Sequence, residues 1–249
     1  MLPTPASLEG QPVPHVTFKA RPNDQWKDIT TDELFKGRTV IVFSLPGAYT
    51  PTCSSTHLPR YNELAPVFKQ HGVDEIICMA VNDAFVMNEW KTGQDAENVT
   101  VIPDGNGDFS KGMGLLVDKR DLGFGMRSWR YSMLVKDGII DKIFIEPEKE
   151  GDPFEVSDAE TMLHYIAPDA EVPEPVVIFA KPGCPHCARA KAALKAHGLQ
   201  YTEISQDQRI NSSVLRAVSG ALTWPQVFIG GKLIGNADAL DAYFAAKAA

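Results

Sequence analysis

Two apolar runs of the same design organise this chain. "VIVFSLPG" (residues 40–47) and "VVIFAKPG" (176–183) are near-continuous β-branched and aromatic stretches that end in Pro-Gly, the pattern of a strand buried on both faces. Each then leads into cysteine and a helical stretch. They read as two copies of one strand-helix beginning at long range, and not as a solenoid, whose repeat periods are far shorter. The first copy continues with a helical pattern over about 53–71 that places Leu58, Tyr61, Leu64, Ala65 and Phe68 on one face, with Pro59 and Pro66 expected to interrupt it. A strand over 75–81 ("EIICMAV"), a helix over 83–92 and a short strand near 99–102 follow. "RYSMLVKDGIIDKIFIE" reads as a hairpin around Asp137-Gly138, and a last helix is expected from Ser157, with Glu160 completing a capping box. The second copy is shorter. It predicts a strand over 176–180, a helix over 185–197, a strand over 200–204, a helix near 210–219, a hairpin turning at Gly230-Gly231, and a helix from about 237. Strands alternating with helices and closing in a hairpin define an α/β class with two domains, each a mixed sheet flanked by helices.

The stretch between them, "APDAEVPEP" (167–175), holds three prolines and three acids in nine positions. It predicts an extended, solvated linker reaching on the order of 28 Å at about 3.1 Å per residue. The expected organisation is a first domain over 1–167, a linker over 168–175 and a second domain over 176–249.

Composition narrows the function. With 249 residues and 44% hydrophobic content, each domain can build its own core. Four cysteines, Cys53, Cys78, Cys184 and Cys187, are too few and too unevenly spaced for a secreted disulfide framework, so reduced thiols in a reducing compartment are expected. The first residues lack a basic region followed by an apolar run, and no stretch approaches the roughly 18 apolar residues of a membrane span. The expectation is a soluble, cytoplasmic protein. A net charge of −8 argues against nucleic-acid binding, which needs a basic footprint.

In "KPGCPHC" the two cysteines are spaced CxxC, just after a strand and at the start of a helix. Cys184 then falls where unpaired backbone N–H groups and the positive end of the helix dipole favour a thiolate, and Cys187, one turn on, can attack a mixed disulfide formed at Cys184. A metal site would need two further ligands, and the nearest candidates, His186 and His197, do not complete such a pattern. The motif favours redox use.

Cys53 starts from a weaker position, because a lone cysteine is ordinarily a small buried apolar residue. Its surroundings argue otherwise. It falls at the first turn of a predicted helix, with Thr50 and Thr52 as candidate caps or hydroxyl partners. A thiol ionised at neutral pH needs about 3.4 kcal/mol of differential stabilisation, whereas a helix terminus supplies at most ~2 kcal/mol. A cation is required as well. His57, four residues after Cys53, could be a catalytic base, but an ionised thiolate needs none, so it reads as a surface or hydrogen-bonding residue; Pro59 marks a place where the first turn can open. Cys78, inside an apolar strand pattern, reads as packing. "DGNGDF" (104–109) lacks the glycine and the final glutamate of a calcium loop and reads as turns; Met113, Met126 and Met133 read as core or gap-filling residues.

Residues 176–249, through "FAKPGCPHC", "TWPQVFIGGKLIG" and "NADAL", resemble glutaredoxins. That resemblance implies a cis-proline at Pro225 facing the thiols, and glutathione contacts at Lys181, Thr223, Trp224, Ala237 and Asp238. Residues 1 to about 167 resemble the atypical subfamily of peroxiredoxins, through the PxxxTxxC signature in "PGAYTPTC" together with "CMAVNDAFVMNEW" and "RYSMLVKDG". This second resemblance supplies the cation at Arg130, with Arg127 as a second contributor or a surface charge. It implies that Cys53 attacks a peroxide oxygen while Thr50 and Arg130 hold the other, and that Pro46 shields the sulfur from water. Together the resemblances imply a peroxiredoxin/glutaredoxin fusion of two thioredoxin-like domains. It would reduce hydrogen peroxide and small alkyl hydroperoxides, with glutathione as reducing co-substrate, no tightly bound cofactor or metal, and a homo-oligomeric state, dimer or tetramer. Two other readings stand beside it: a general glutathione-linked thiol-disulfide oxidoreductase, and a redox-sensing module without turnover.

Overall fold

A computed structural model describes residues 2–247 of the protein. The chain separates into two compact units, one ending at Ala170 and the other beginning at Glu171.

The first unit contains strands β1 (Thr17–Ala20), β2 (Lys27–Thr30), β3 (Thr39–Ser44), β4 (Glu75–Ala80), β5 (Thr100–Pro103), β6 (Leu116–Asp118), β7 (Met126–Ser128), β8 (Tyr131–Lys136) and β9 (Ile139–Ile145). Its helices are α1 (Pro5–Leu8), α2 (Thr31–Phe35), α3 (Leu58–Gln70), α4 (Ala84–Gly93), α5 (Asp108–Gly112) and α6 (Ala159–Ile166). The main sheet has the order β5-β4-β3-β8-β9, with β3, β4 and β5 parallel and β8 and β9 antiparallel. Its central strand β3 is apolar on both faces for a simple reason. Ile41 and Phe43 face a core built with Leu58, Tyr61, Phe68 and Trp90, while Val40 and Val42 face a second core with Phe18, Phe35 and Phe109. The period-2 alternation of a half-buried strand is absent because there is no solvent face.

The second unit contains β10 (Val176–Ala180), α7 (Pro185–Ala196), β11 (Thr202–Ser205), α8 (Ser212–Ser219), β12 (Gln226–Ile229), β13 (Lys232–Gly235) and α9 (Ala237–Lys247). Its sheet has the order β11-β10-β12-β13, with β10 and β11 parallel and the other pairs antiparallel. Ala190 and Leu194 of α7 and Leu240 and Phe244 of α9 close one core over β10 and β12.

Several local expectations change. Pro66 does not interrupt α3, which runs through it. The carbonyl that proline deprives of its partner, Asn62 O, accepts instead from Asn98 Nδ2 at 3.3 Å, and Asn62 Oδ1 accepts from the Asn98 backbone at 2.9 Å. Pro59 follows a π-type turn over Cys53–His57 that runs directly into α3 and is closed by Leu58 N–H donating to Cys53 O, so the helix is irregular just before Pro59 but not broken. The cap of α6 is Asp158, which accepts from Thr161 N at 2.8 Å, because Ser157 is turned inward and Glu160 is paired with Arg60. Met113 and Met133 are core residues, but Met126 is exposed on β7. In "DGNGDF", Asp104 is buried and accepts from Phe109 N, Ser110 N and Ser110 Oγ, which fixes the start of α5. At the boundary between the units, Ala167 and Ala170 pack on the first core, and Pro175 O accepts from Gly230 N at 3.0 Å.

Candidate active site

The loop after β3 carries "PGAYTPTC" across the end of the sheet. Asn82 Oδ1 accepts from Ala48 N at 3.0 Å, and Arg127 Nη1 donates to Val81 O at 2.9 Å while lying 3.2 Å from where a Cβ on Gly47 would stand. A Cβ at position 47 would crowd Arg127 by a few tenths of an ångström. Arg127, half-buried and donating to the Val81 and Phe124 carbonyls, is a structural tie beside this loop and not a lone surface charge. Tyr49 takes a left-handed φ of 64° at the tip, which turns the chain back so that Thr50 Oγ1 reaches Cys53 Sγ at 2.8 Å. The same hydroxyl lies 3.0 Å from Gly47 O. With one proton for two acceptors, it can serve the sulfur as a donor when the sulfur is charged and turn to the carbonyl when it is not. Thr52 makes no capping bond. Pro46 and Thr50 are half-buried and Cys53 is fully buried.

Arg130, 1% exposed between β7 and β8, is a buried cation beside the Cys53 sulfur. Burial works against its charge, yet the neighbouring Cys53 sulfur and the Asp152 carboxylate outweigh the penalty and hold its pKa above the ordinary value. Nη1 donates to His57 Nδ1 at 3.1 Å, Nη2 donates to Asp152 Oδ1, the guanidinium lies 5.5 Å from the Phe154 ring, and Nε, though buried, has no hydrogen-bond partner of good geometry among the described residues.

His57 is fully buried in a ring of aromatics, Phe43, Tyr61 and Phe154. Burial first, and the Arg130 charge second, push its pKa well below 6.5, so the ring is neutral. Nε2 faces the Ser157 carbonyl at 3.1 Å and must carry the proton, which leaves Nδ1 as a pure acceptor for Arg130. The hydrogen-bonding reading of His57 holds and the surface reading does not. The depressed pKa has a consequence for stability: as pH falls below about 6.5, the unfolded chain takes up a proton that the folded ring refuses, so folding free energy is lost on the acid side. Urea unfolding of the first unit at about pH 5.5 and pH 7 should show wild type losing about 1 kcal/mol more than His57→Gln, whose side chain cannot protonate. An identical acid-side loss in the two proteins would contradict the assignment.

Two acids near this site are not among the residues that the sequence singles out, and only one of them leaves a signal there. Glu146, just past β9 and 1% exposed, accepts from the backbone N–H of Glu155, Val156 and Ser157 and from Ser157 Oγ, all at 2.7–3.0 Å. One carboxylate thereby ties down an irregular segment that delivers Asp152 to Arg130 and the Ser157 carbonyl to His57. Glu146 could have been suspected from "IFIE", a charge directly continuing an apolar run, since such a charge is buried only when paired. Asp152 stands among other acids and two prolines in "EPEKEGDPFE", where nothing separates it from solvated charge.

Cys78 lies on β4 beside Phe43, in the same core as Cys53. Burial, and then the charge at Cys53, push its thiol well above the ordinary value.

In the second unit, Cys184 is the N-cap of α7 and its sulfur accepts from Cys187 N at 3.3 Å. Burial alone would raise its pKa, but the Cys187 thiol, the N–H groups of Cys187 and His186, and the Lys181 charge bring it below the ordinary thiol value. Cys187 moves the other way, pushed up to about 11 by burial and by Cys184. The more accessible sulfur is thus the more acidic of the two, and the buried Cys187 thiol is the one that holds its proton. The Trp224-Pro225 bond is cis, and Trp224 O lies 3.9 Å from Cys184 Sγ. Lys181 and Thr223 are exposed near the thiols, Ala237 is buried at the start of α9, and the exposed Asp238 is paired with Arg189 of α7. His197, the distant metal candidate, is stacked on Phe244 with its Nδ1 at 2.9 Å from Ala193 O.

Strand, cysteine and helix thus meet twice in one chain, once with a buried cation and once with a second thiol, which defines a thiol-redox protein with two centres. Residues 8–163 match the model of the Redoxin family, and residues 176–234 match Glutaredoxin. The hybrid peroxiredoxin hyPrx5 of Haemophilus influenzae is 62% identical over 240 residues, covering 96% of this chain and 100% of that protein. Among solved structures, reduced Prx3 of Vibrio vulnificus in complex with H2O2 aligns with a TM-score of 0.60 at 40% identity, over 64% of this chain and 98% of that one. The Plasmodium falciparum antioxidant protein, a 1-Cys peroxiredoxin, aligns with a TM-score of 0.62 at 32% identity, over 65% and 99%. The chain belongs to the peroxiredoxin family, and it joins a peroxiredoxin domain to a C-terminal glutaredoxin domain. Its fold is thioredoxin-like and its activity class is that of a thiol peroxidase. Among the described residues, no helix is long and apolar enough to cross a membrane.

Proposed function

We propose that the protein reduces hydrogen peroxide and small alkyl hydroperoxides at Cys53, with glutathione as the source of electrons. The observation that carries this reading is the fully buried Cys53 sulfur with the Thr50 hydroxyl at 2.8 Å and the charge of the buried Arg130 beside it. The thiolate attacks one peroxide oxygen; Thr50 and Arg130 donate to the departing oxygen, which leaves with one proton as water or an alcohol. The sulfur is left as a sulfenic acid. Glutathione condenses with that acid, releasing water and leaving a mixed disulfide on Cys53. Cys184 thiolate attacks the glutathione sulfur, Cys53 leaves as thiolate, and a second glutathione, or Cys187, frees Cys184. The sum is one peroxide and two glutathiones to one alcohol or water, one further water and one glutathione disulfide.

The split ionisation of the CxxC pair supports Cys184 as the attacking thiol, since exchange is fastest for a thiol whose pKa lies near ambient pH. Lys181, Thr223, Trp224, Pro225, Ala237 and Asp238 are the groups we assign to glutathione. A reducing, cytoplasmic setting and a homo-oligomeric state belong to the same proposal. The direct test supplies hydroperoxide to the purified protein with glutathione as the only thiol. One glutathione disulfide should form for each peroxide consumed over many turnovers; a single turnover followed by arrest would refute the assigned reductant.

A further inference from the structure

We propose that Asp152 is a positioning residue for peroxide reduction, acting through Arg130. The inference rests on Cys53 being the peroxide-reactive thiol. Arg130 has three nitrogens to place. Nη1 is committed to His57 Nδ1 and Nη2 to Asp152 Oδ1, while Nε is buried with no hydrogen-bond partner of good geometry among the described residues. Two fixed acceptors on two nitrogens of a planar group determine its orientation, and therefore where the free donor lies. His57 alone cannot do so, because one hydrogen bond leaves the guanidinium free to pivot about it.

The electrostatics sharpen the case. Asp152 is a negative charge against the cation that stabilises the Cys53 thiolate, so as a pure charge it opposes thiolate formation. A carboxylate that weakens the field of Arg130 while fixing its plane contributes through geometry. Its own placement is built in: Asp152 sits in the segment after β9 that Glu146 ties down through four hydrogen bonds, and Phe154 of that segment packs on both the guanidinium and the His57 ring. Asp152 itself is 38% exposed, so its truncation opens no cavity in the core.

Two reagents separate orientation from charge. Alkylation of Cys53 by iodoacetamide needs a thiolate but no aligned donor for a leaving oxygen, whereas peroxide reduction needs both. In the full-length protein, Asp152→Ala should slow the second-order oxidation of Cys53 by hydrogen peroxide about tenfold, while alkylation at the same pH stays within twofold of wild type or rises. Asp152→Asn, which keeps an acceptor oxygen for Nη2, should recover most of the peroxide rate. A peroxide rate for Asp152→Ala equal to or above wild type would overturn the inference, and so would a fall in both reactions by the same factor. Cys53→Ser, run alongside, tests the underlying reading separately: peroxide consumption that survives that substitution would overturn the assignment of Cys53, whatever Asp152→Ala does.

Discussion

Arg130→Lys is expected to slow oxidation of Cys53 by peroxide by about 10² to 10³-fold, the cost typical of removing one preorganised donor from a charge-developing site. Lysine keeps the positive charge, so the prediction isolates geometry and number of donors. A single ammonium cannot serve His57 Nδ1, Asp152 and a departing oxygen from the three corners that the guanidinium occupies. It is also a more strongly hydrated cation to keep at 1% exposure. The reaction can be followed by intrinsic fluorescence, because Trp90 Nε1 donates to Ser54 Oγ at 2.9 Å, one residue from the reacting sulfur. Thermal melting of the same variant checks that the core has survived, and glutathionyl transfer by the second unit should be unchanged. A rate within threefold of wild type would mean that charge alone suffices and that the fork of donors has no part in the reaction.

The sequence exposed some of this machinery and hid the rest for physical reasons. The strand-Pro-Gly-cysteine beginnings were legible because a strand buried on both faces writes an unbroken apolar run, and β3 and β10 both do so. The CxxC pair was legible because its spacing is itself a mechanism. Arg130 was reachable only through family resemblance: it follows Trp129 in chain order and gives no local sign that its charge is buried. His57 was ambiguous, since four residues from Cys53 on a helix fits either a surface or a buried face, and the π-type turn then shifted the phase. The N-terminal ribbon of β1 and β2 escaped notice. Its strands are short and its turn relies on Asn23 and Asp24 in left-handed conformations, φ 50° and 61°, which these side chains tolerate without announcing. The Ser157 capping box failed for another reason. Glu146, eleven residues earlier, claims the Ser157 hydroxyl, and a distant carboxylate leaves no trace in a local pattern. Long-range polar pairing is the recurring gap, and it is the kind of contact that positions this site.

Cys184→Ser is the second substitution with a large expected effect, and it addresses the reductive half of the cycle. Serine at the N-cap preserves the start of α7, since its oxygen can accept from the backbone as the sulfur does, so the second unit should remain folded. What is lost is the thiol of the CxxC pair whose pKa is brought below the ordinary value, while Cys187, at about 11 in the native unit, is a poor substitute at neutral pH. After exposure to peroxide and glutathione, intact-protein mass spectrometry should find one glutathionyl group per chain on Cys53, and steady turnover should fall to whatever rate free glutathione sustains by attacking that disulfide. Cys187→Ser should behave differently. Its hydroxyl can still donate to Cys184, and a second glutathione can complete the cycle, so turnover should persist. Cys78 provides the opposing outcome. It shares a core with Cys53 but is held protonated by burial, and its strand β4 is paired on both sides. A Cys53-Cys78 disulfide in the Cys184→Ser variant would show that the first unit resolves its own sulfenic acid, and would remove the glutaredoxin domain from the cycle.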